Sequence, residues 1–291
     1  MSSSNGGYYL PEPSPYPIIG SIGLFTMLLG FVLVLHEGSA GAVIMGLGIA
    51  VIILMMFLWF GKVASESEGG LYNEEVGLSF RMTMMWFIFS EVMFFGAFFG
   101  ALFYARQLAV PWLAETDLLW PGYEGGWPTA GPEGQQLIGV QESAGPNQFS
   151  IIDPWHIPFW NTLILLTSSV TVTIAHHALK AEKRAALIGW LFVTVVLGFL
   201  FLGFQIYEYI EAYQHLGLTL GTGVYGATFF MLTGFHGAHV TIGAIILAVV
   251  MIRCMRGHFS PKNHFAFEAA AWYWHFVDTV WVGLFIFVYI L

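Results

Sequence analysis

Long apolar stretches dominate this chain and limit the folds that it can adopt. Because an α-helix rises 1.5 Å per residue, about 20 apolar residues cross the ~30 Å hydrocarbon core of a bilayer. Seven stretches of about that length lie at about residues 17–35, 40–60, 80–108, 159–179, 186–209, 224–252 and 267–291. The longest connector covers about residues 109–158. The sequence therefore predicts an all-α membrane protein, with seven transmembrane helices in a single integral-membrane domain.

The composition agrees with a chain whose solvent is lipid. Only 9% of the 291 residues are charged and 57% are hydrophobic, whereas a soluble domain carries roughly 25% charged residues. The one cysteine, Cys254, allows neither an intrachain disulfide nor a thiolate metal cluster. The polar segment before the first span contains no Lys or Arg, so we expect no cleaved signal peptide.

Lys and Arg residues are distributed unevenly between the two ends of the predicted helices. If there are seven spans, the second, fourth and sixth connectors share one side, which we call the basic face. Only Arg106 lies at the other end of a span, and the remaining basic residues are Lys62, Arg81, Lys180, Lys183, Arg184, Arg253, Arg256 and Lys262. The positive-inside rule assigns such a face to the cytoplasm. We therefore expect a cytoplasmic N-terminus, and a C-terminus and loop 109–158 on the outside.

Glu91 is a carboxylate near the middle of the third span. It follows Arg81 by ten residues, which corresponds to about 15 Å along a helix. A charge at that depth costs several kcal/mol, so we expect Glu91 to be protonated or bonded to a partner inside the bundle. Two interpretations remain open: a proton-relay or conformational-sensing group, and a neutral carboxyl group that fixes helix packing.

Two histidines in the sixth span, His236 and His239, are three residues apart and share a helix face. A metal site would need further ligands and usually an open coordination position. The alternative is a packed, hydrogen-bonded pair beside Gly234, Gly237 and Gly243, which suggest close helix contact.

The seventh span and the basic face carry the remaining candidate polar residues. His275 and Asp278 are also three apart and can bond to each other, while Glu268 lies near enough to the basic face to meet Arg253 or Arg256. These three are expected to be structural. His176, His177, Arg253, Arg256, His258 and His264 form a basic rim, which either attracts anionic lipid head groups or merely flanks the spans.

Several segments together resemble one family, subunit III of the heme–copper cytochrome c oxidases. The similarity covers nearly the whole chain. It is strongest in residues 90–95 (SEVMFF), 233–239 (TGFHGAH) and 267–278 (FEAAAWYWHFVD). It also includes residues 13–17, 175–177 and 223–226.

The resemblance implies a fold and a set of partners. Members pack their helices as a bundle of two plus five, with a lipid-filled cleft between the groups. This chain would hold no redox cofactor and no metal, since heme and copper belong to partner subunits. It would contact subunit I above all, then subunit II and possibly small subunits. Cytochrome c would bind at the level of the complex, and no nucleic acid is expected. The implied function is non-catalytic: stabilising subunit I, binding structural phospholipids and supporting proton uptake during the reduction of oxygen to water.

The resemblance also implies roles for particular residues. Glu91 matches the intramembrane glutamate of the family. Lipid-contacting positions of the cleft are matched by Trp59, Glu66, Arg81 and Phe87. A second lipid site at the cytoplasmic end is matched by His239, Arg253, Arg256, His258, Phe259 and His264.

Two departures and three alternatives accompany this assignment. The connector at residues 66–79 is rich in Glu and Gly, and loop 109–158 is longer than in the mitochondrial form. A loop of that length is typical of some bacterial members, so we expect a bacterial inner (plasma) membrane. The alternatives are a quinol oxidase subunit, which usually has fewer helices, a proton-coupled transporter that uses Glu91, and a di-histidine metalloenzyme.

Overall fold

The structure is a computed structural model that describes residues 9, 12–116, 118–132 and 149–291. Within those residues it contains helices and no strands, and seven helices are long and apolar enough to cross a membrane. This confirms the predicted fold class and the number of spans. The helices are α1 (Tyr16–Leu35), α2 (Gly41–Glu68), α3 (Glu74–Ala114), α4 (Ile157–Lys180), α5 (Arg184–Gln214), α6 (Gly223–Arg256) and α7 (Phe265–Ile290).

Several helices extend beyond the apolar stretches that revealed them. Helix α2 continues to Glu68, although its apolar run ends near residue 60. Helix α3 includes a π-helical segment at Ala105–Ala109 and ends at Ala114, within the predicted loop. Hydropathy detects the part of a helix that lies in lipid, and a helix can continue into the polar interface. Most of the remaining loop, residues 133–148, lies outside the described residues.

Residues 1–80 form one compact unit, in which α1 and α2 make an antiparallel hairpin. Glycines allow the two backbones to approach closely. A Cβ atom on Gly30 would lie 2.2 Å from the backbone nitrogen of Met45, and one on Gly48 would lie 2.3 Å from that of Met27. Small residues of this kind mark close helix contacts in membranes, so the hairpin is held mainly by backbone-to-backbone packing.

Residues 81–291 form a second compact unit, whose core is built by α4, α5, α6 and α7. Trp274 of α7 is fully buried at its centre. Its indole N–H donates to Ser168 Oγ of α4 at 2.9 Å. A Cβ on Gly198 of α5 or Gly243 of α6 would meet its ring at 2.7 or 2.9 Å. One side chain of α7 therefore joins three other helices.

The described part of the loop is tied to the start of α6. The backbone N–H groups of Val224 and Tyr225 donate to the carbonyls of Ala130 and Thr129, at 3.3 and 3.2 Å. Phe149, which follows the undescribed segment, stacks on the Tyr225 ring at 5.3 Å. Both ends of the loop therefore pack against the end of the bundle that lies opposite the basic face.

Candidate functional site

Glu91 of α3 and His239 of α6 form the central polar contact of the candidate site. Glu91 Oε2 lies 3.0 Å from His239 Nε2, and both side chains are largely shielded. Phe95, itself buried, meets the imidazole ring edge-on at 5.0 Å. Tyr273 stacks on it at 6.4 Å. The aromatic surroundings keep water away and strengthen the polar contact.

The hydrogen bonds of His239 determine how many protons the pair holds. Its Nδ1 lies 2.6 Å from the carbonyl of Phe235, and a carbonyl only accepts, so Nδ1 carries a proton. One further proton then lies between Nε2 and Glu91 Oε2. The pair is either a neutral imidazole beside a carboxylic acid or an imidazolium beside a carboxylate. Both forms have no net charge, which removes most of the cost of placing Glu91 at this depth.

His236 is separate from that pair. It is fully buried, and its Nε2 donates to the carbonyl of Val277 at 3.1 Å. Its ring packs on Phe201 and Trp281. His236 therefore ties α6 to α7, and the two histidines make separate contacts instead of sharing one site.

Glu268 pairs with a different arginine from those considered in the sequence. Its Oε2 accepts a hydrogen bond of 3.0 Å from Arg81 Nε. We expected Arg253 or Arg256, and that expectation was wrong, because the first turn of α7 lies beside the start of α3. The Arg81 side chain remains 40% exposed, so its outer guanidinium nitrogens are accessible.

His275 and Asp278 are connected through a third residue. Ser169 of α4 lies 2.5 Å from His275 Nδ1 and also hydrogen-bonds to Asp278. Thr173 lies 3.3 Å from His275 Nε2. The described residues contain no direct hydrogen bond between His275 and Asp278, contrary to the simplest interpretation of their spacing. The contacts join α4 to α7, in line with a structural role.

At the basic face, Arg253 and Phe259 lie together, with the guanidinium carbon 4.8 Å from the ring centre. His264 packs its ring edge-on against His176 at 5.3 Å. The Nδ1 atom of His264 lies 3.2 Å from the Ser260 carbonyl oxygen. The other predicted members, Arg256 and His258, follow at the end of α6 and in the next connector. His239 is not at this face, since it precedes Arg253 by 14 residues, or about 21 Å of helix.

The first unit holds the two remaining predicted lipid contacts. Trp59 stacks on Tyr16 at 6.0 Å and is 44% exposed. Glu66 accepts a hydrogen bond of 2.8 Å from the Tyr72 hydroxyl. Burial and this hydrogen bond raise the pKa of the Tyr72 phenol, so it stays a donor to Glu66.

Sequence reasoning missed a buried polar group on α5. Glu208 is 1% exposed, and its Oε1 accepts a 2.6 Å hydrogen bond from the Tyr289 hydroxyl. The predicted fifth span ends at residue 209, and Glu208 was not singled out as a candidate residue. Helix α5 continues to Gln214, which places the carboxyl group inside the bundle. Its spacing of three from Gln205, on one helix face, was the available signal.

Metal ligation finds no support in the described ranges, where no three His, Cys, Asp or Glu side chains converge on a common point. Glu91 and His239 can hold a proton and hydrogen-bond to each other. The accessible guanidinium of Arg81 adds anion binding.

Close relatives are found over almost the whole chain, each described as cytochrome c oxidase subunit 3. The protein of Marchantia polymorpha is 42% identical over 97% of this chain and 95% of its own length. The protein of Arabidopsis thaliana is 41% identical over 99% of this chain and 98% of its own length. The protein of Petromyzon marinus is 37% identical over 99% of this chain and 98% of its own length.

These relatives correct the expected location. They come from plants and an animal and point to the mitochondrial inner membrane. The assignment to a bacterial plasma membrane, with its cytoplasmic and periplasmic sides, was wrong. The distribution of basic residues separates the two faces of a membrane protein but does not identify the membrane.

The family model for cytochrome c oxidase subunit III matches residues 6–123 and 137–291. The segments that carry the motifs around Glu91, His239 and Glu268 all fall within these ranges. With the seven helices and the full-length relatives, this confirms the resemblance seen in the sequence. The chain belongs to the cytochrome c oxidase subunit III family and is a subunit of an oxidase complex.

Proposed function

We propose that this chain is the non-catalytic subunit III of a proton-pumping cytochrome c oxidase. In this proposal electrons from cytochrome c reduce oxygen at heme and copper held by partner subunits. This chain stabilises subunit I, binds structural phospholipids and supports proton uptake. Membership of the family supports the assignment, and the Glu91–His239 pair is the single structural observation that carries the link to protons.

The pair supports proton uptake as a modulator. Since Glu91 and His239 share one proton without net charge, moving it between Oε2 and Nε2 redistributes charge inside the membrane without leaving the pair. Such a change alters the field at a neighbouring proton path, whereas it consumes no proton. We therefore assign Glu91 to tuning proton uptake and not to acid catalysis.

Solid-state NMR of ¹⁵N-histidine in the assembled oxidase tests the shared proton, with His239→Asn identifying the signal. We expect a protonated Nδ1 and an Nε2 that is strongly hydrogen-bonded, and we expect Glu91→Gln to shift only Nε2. A proton on Nε2 beside a bare Nδ1 would contradict the proposal, because the Phe235 carbonyl would then have no donor from the ring.

Arg81 is the proposed phospholipid contact in the second unit. Its Nε donates to Glu268, and the Arg81 side chain is 40% exposed. Arginine binds phosphate oxygens in a bidentate fork. Phe87, 46% exposed, stacks on Tyr273 at 6.3 Å and offers a surface for an acyl chain. Trp59 and Glu66 have the corresponding role in the first unit.

The basic face is the second proposed lipid contact. Arg253 lies over Phe259, an arrangement that holds the guanidinium in place while it binds an anion. Arg256, His258 and His264 add charge or hydrogen-bond donors in the same region. Each basic residue near a membrane surface contributes about 1 kcal/mol of attraction to anionic lipids.

Native mass spectrometry of the purified oxidase tests both lipid contacts. Arg81→Gln should release a phospholipid of any head group, and the Arg253→Ala, Arg256→Ala double variant should release an anionic one. Lys183→Gln is the matched control, since Lys183 is an exposed basic residue of the α4–α5 turn. Unchanged lipid content in the Arg variants, or an equal loss in the control, would contradict the lipid role.

Cross-linking mass spectrometry tests the proposed partners. We expect cross-links from this chain mainly to subunit I, with fewer to subunit II. A chain that is purified without heme-bearing partners would contradict the assignment as a subunit.

A further inference from the structure

Glu208 is a buried carboxyl group that the proposed function does not use. Its Oε1 accepts two hydrogen bonds, from the Tyr289 hydroxyl at 2.6 Å and from Gln205 Nε2 at 3.3 Å. Its Oε2 has no hydrogen-bond partner in the described part of the chain. No Lys, Arg or His of the described residues lies within ion-pair distance of it, and its charged neighbour is another carboxylate, Glu211.

A second buried polar side chain lies within about 6 Å of Glu208 along the bundle axis. Thr171 of α4 and Thr194 of α5 are joined by a 2.8 Å hydrogen bond, which sets the register of these antiparallel helices. Because both helices rise equally per residue, Asn161 lies level with residue 204 and therefore within one residue of Gln205. Asn161 is fully buried, and neither its Oδ1 nor its Nδ2 has a partner among the residues described.

Four buried polar atoms thus remain to be matched, on backbone positions that span about 6 Å along the bundle axis: Glu208 Oε2, Gln205 Oε1, Asn161 Oδ1 and Asn161 Nδ2. Buried polar groups in native proteins are almost always hydrogen-bonded, either to protein or to ordered water. We propose that Asn161, Gln205 and Glu208 bind buried water, and that Glu208 is a neutral carboxylic acid that donates its Oε2 proton to this water.

The arrangement of donors and acceptors favours water over an ion. A protonated Oε2 supplies one donor and the Asn161 amide supplies the other, while the two amide oxygens accept. A water molecule needs two to four such partners. An anion would face a carboxyl group and only one amide donor. A cation such as calcium would need an ionised Glu208 and roughly six to eight oxygen ligands, whereas these three side chains offer only Glu208 Oε2 and the two amide oxygens.

Aromatic side chains separate this site from the loop. Phe149 stacks on Tyr225, Tyr225 stacks on Phe229, and Phe229 meets the Tyr289 ring at 5.4 Å. Tyr209 bonds to Thr233 of α6 at 2.7 Å, which places Glu208 level with residue 234. That level is five residues from His239, or about 7.5 Å of helix. The site is therefore a second protonated group, distinct from the Glu91–His239 pair.

High-resolution electron cryomicroscopy of the complete oxidase tests the proposal without any variant. We expect density between Glu208 Oε2 and the two amides, at hydrogen-bonding distances of about 2.7–3.2 Å from two to four polar atoms. Density with six or more oxygen ligands at about 2.3–2.6 Å would be a cation such as calcium and would overturn it. An empty space at that position would also overturn it.

Two variants of the assembled oxidase add an independent test. Glu208→Gln keeps an acceptor for Tyr289 and a donor to water, so the melting temperature of the complex should be nearly unchanged. Asn161→Leu should lower it by several degrees, because the water and Gln205 lose partners. If Asn161 had no partner in the native protein, Asn161→Leu would raise the melting temperature. A large loss in Glu208→Gln would indicate an ionised carboxylate. Either result would contradict the proposal.

Discussion

The helices of the two compact units associate through different kinds of contact. In the first, glycines of α1 and α2 bring the two backbones together, and the hydroxyls of Ser21 and Thr26 bond only to carbonyls of their own helix. In the second, hydroxyl, indole and imidazole groups bond across helices, as between Thr171 and Thr194. Lipid supplies no hydrophobic drive for helices to associate, so close packing and polar bonds must do so.

The two units are sensitive to different substitutions. A hairpin that depends on backbone contact has no room for even a methyl group, whereas a bundle with many polar bonds loses only part of its stability with any one of them. The unit with polar bonds is also the one that contains Glu91, His239 and Glu208. In the bundle, the Glu91 and His239 side chains of the proposed function also join α3 to α6.

The largest effect is expected from Gly30→Ala. The new methyl group would lie 2.2 Å from the Met45 backbone nitrogen, so α1 and α2 must separate, at a cost of about 3 kcal/mol or more. Gly46→Ala is the control, because nothing lies within 4 Å of its Cβ position. The measurement is retention of this subunit in the purified oxidase on heating. Equal retention in the two variants would show that glycine contact does not hold the hairpin.

Trp274→Phe should have the next largest effect. It removes the indole N–H that bonds to Ser168 and leaves space beside Gly198 and Gly243. We expect a loss of about 2 kcal/mol, as for the truncation of other buried groups. Adding Gly198→Ala should lower the melting temperature of the wild-type complex. It should not lower that of the Trp274→Phe variant, because the smaller ring leaves room for the methyl group. A melting temperature that changes equally in both backgrounds would contradict the proposed contact.

Glu91→Ala and Glu91→Gln separate the charge of Glu91 from its hydrogen bond. Alanine leaves His239 Nε2 without its partner, at a cost of about 1–3 kcal/mol. Glutamine can donate an amide proton to the neutral imidazole and should cost less than about 1 kcal/mol. Thermal retention of the subunit measures both. If glutamine were as harmful as alanine, a hydrogen bond to His239 Nε2 would not be what Glu91 contributes to stability.

The smallest effect is expected at Thr171 and Thr194. Each hydroxyl also contacts a carbonyl of its own helix, so Thr→Val at either position loses little. A double-mutant cycle should give a coupling energy of about 0.6 kcal/mol, the average for polar pairs between membrane helices. A coupling energy of zero would show that the Thr171–Thr194 hydrogen bond does not stabilise the second unit.

The fold was largely predictable because apolar length reports a membrane helix directly. Helix ends were not, since α2 continues through polar residues to Glu68. The glycine prediction was confirmed for Gly243, which contacts Trp274, whereas, among the described residues, no atom of a neighbouring helix lies within 4 Å of the Cβ position of Gly237. Spacing along a helix shows which residues share a face, but not which neighbour that face meets.

The sequence identified the residues of the candidate site but not which of them contact each other. Glu91 and His239 were both singled out, yet 148 residues separate them, and the sequence alone did not connect them. For the same reason Glu268 was matched with Arg253 or Arg256 when its partner is Arg81. Partner choice depends on which helices are neighbours, and this is set by packing of the whole bundle.

The initial rate of oxygen consumption by the assembled Glu91→Gln oxidase shows whether Glu91 tunes proton uptake or acts as an essential acid. Glu115→Gln, an exposed carboxylate at the end of the same helix, is the control. If Glu91 tunes proton uptake as part of a neutral pair, the variant keeps its initial rate within about twofold, a barrier change of less than about 0.5 kcal/mol. Loss of turnover in Glu91→Gln, with normal heme content and a normal control, would contradict the account and make Glu91 an essential acid.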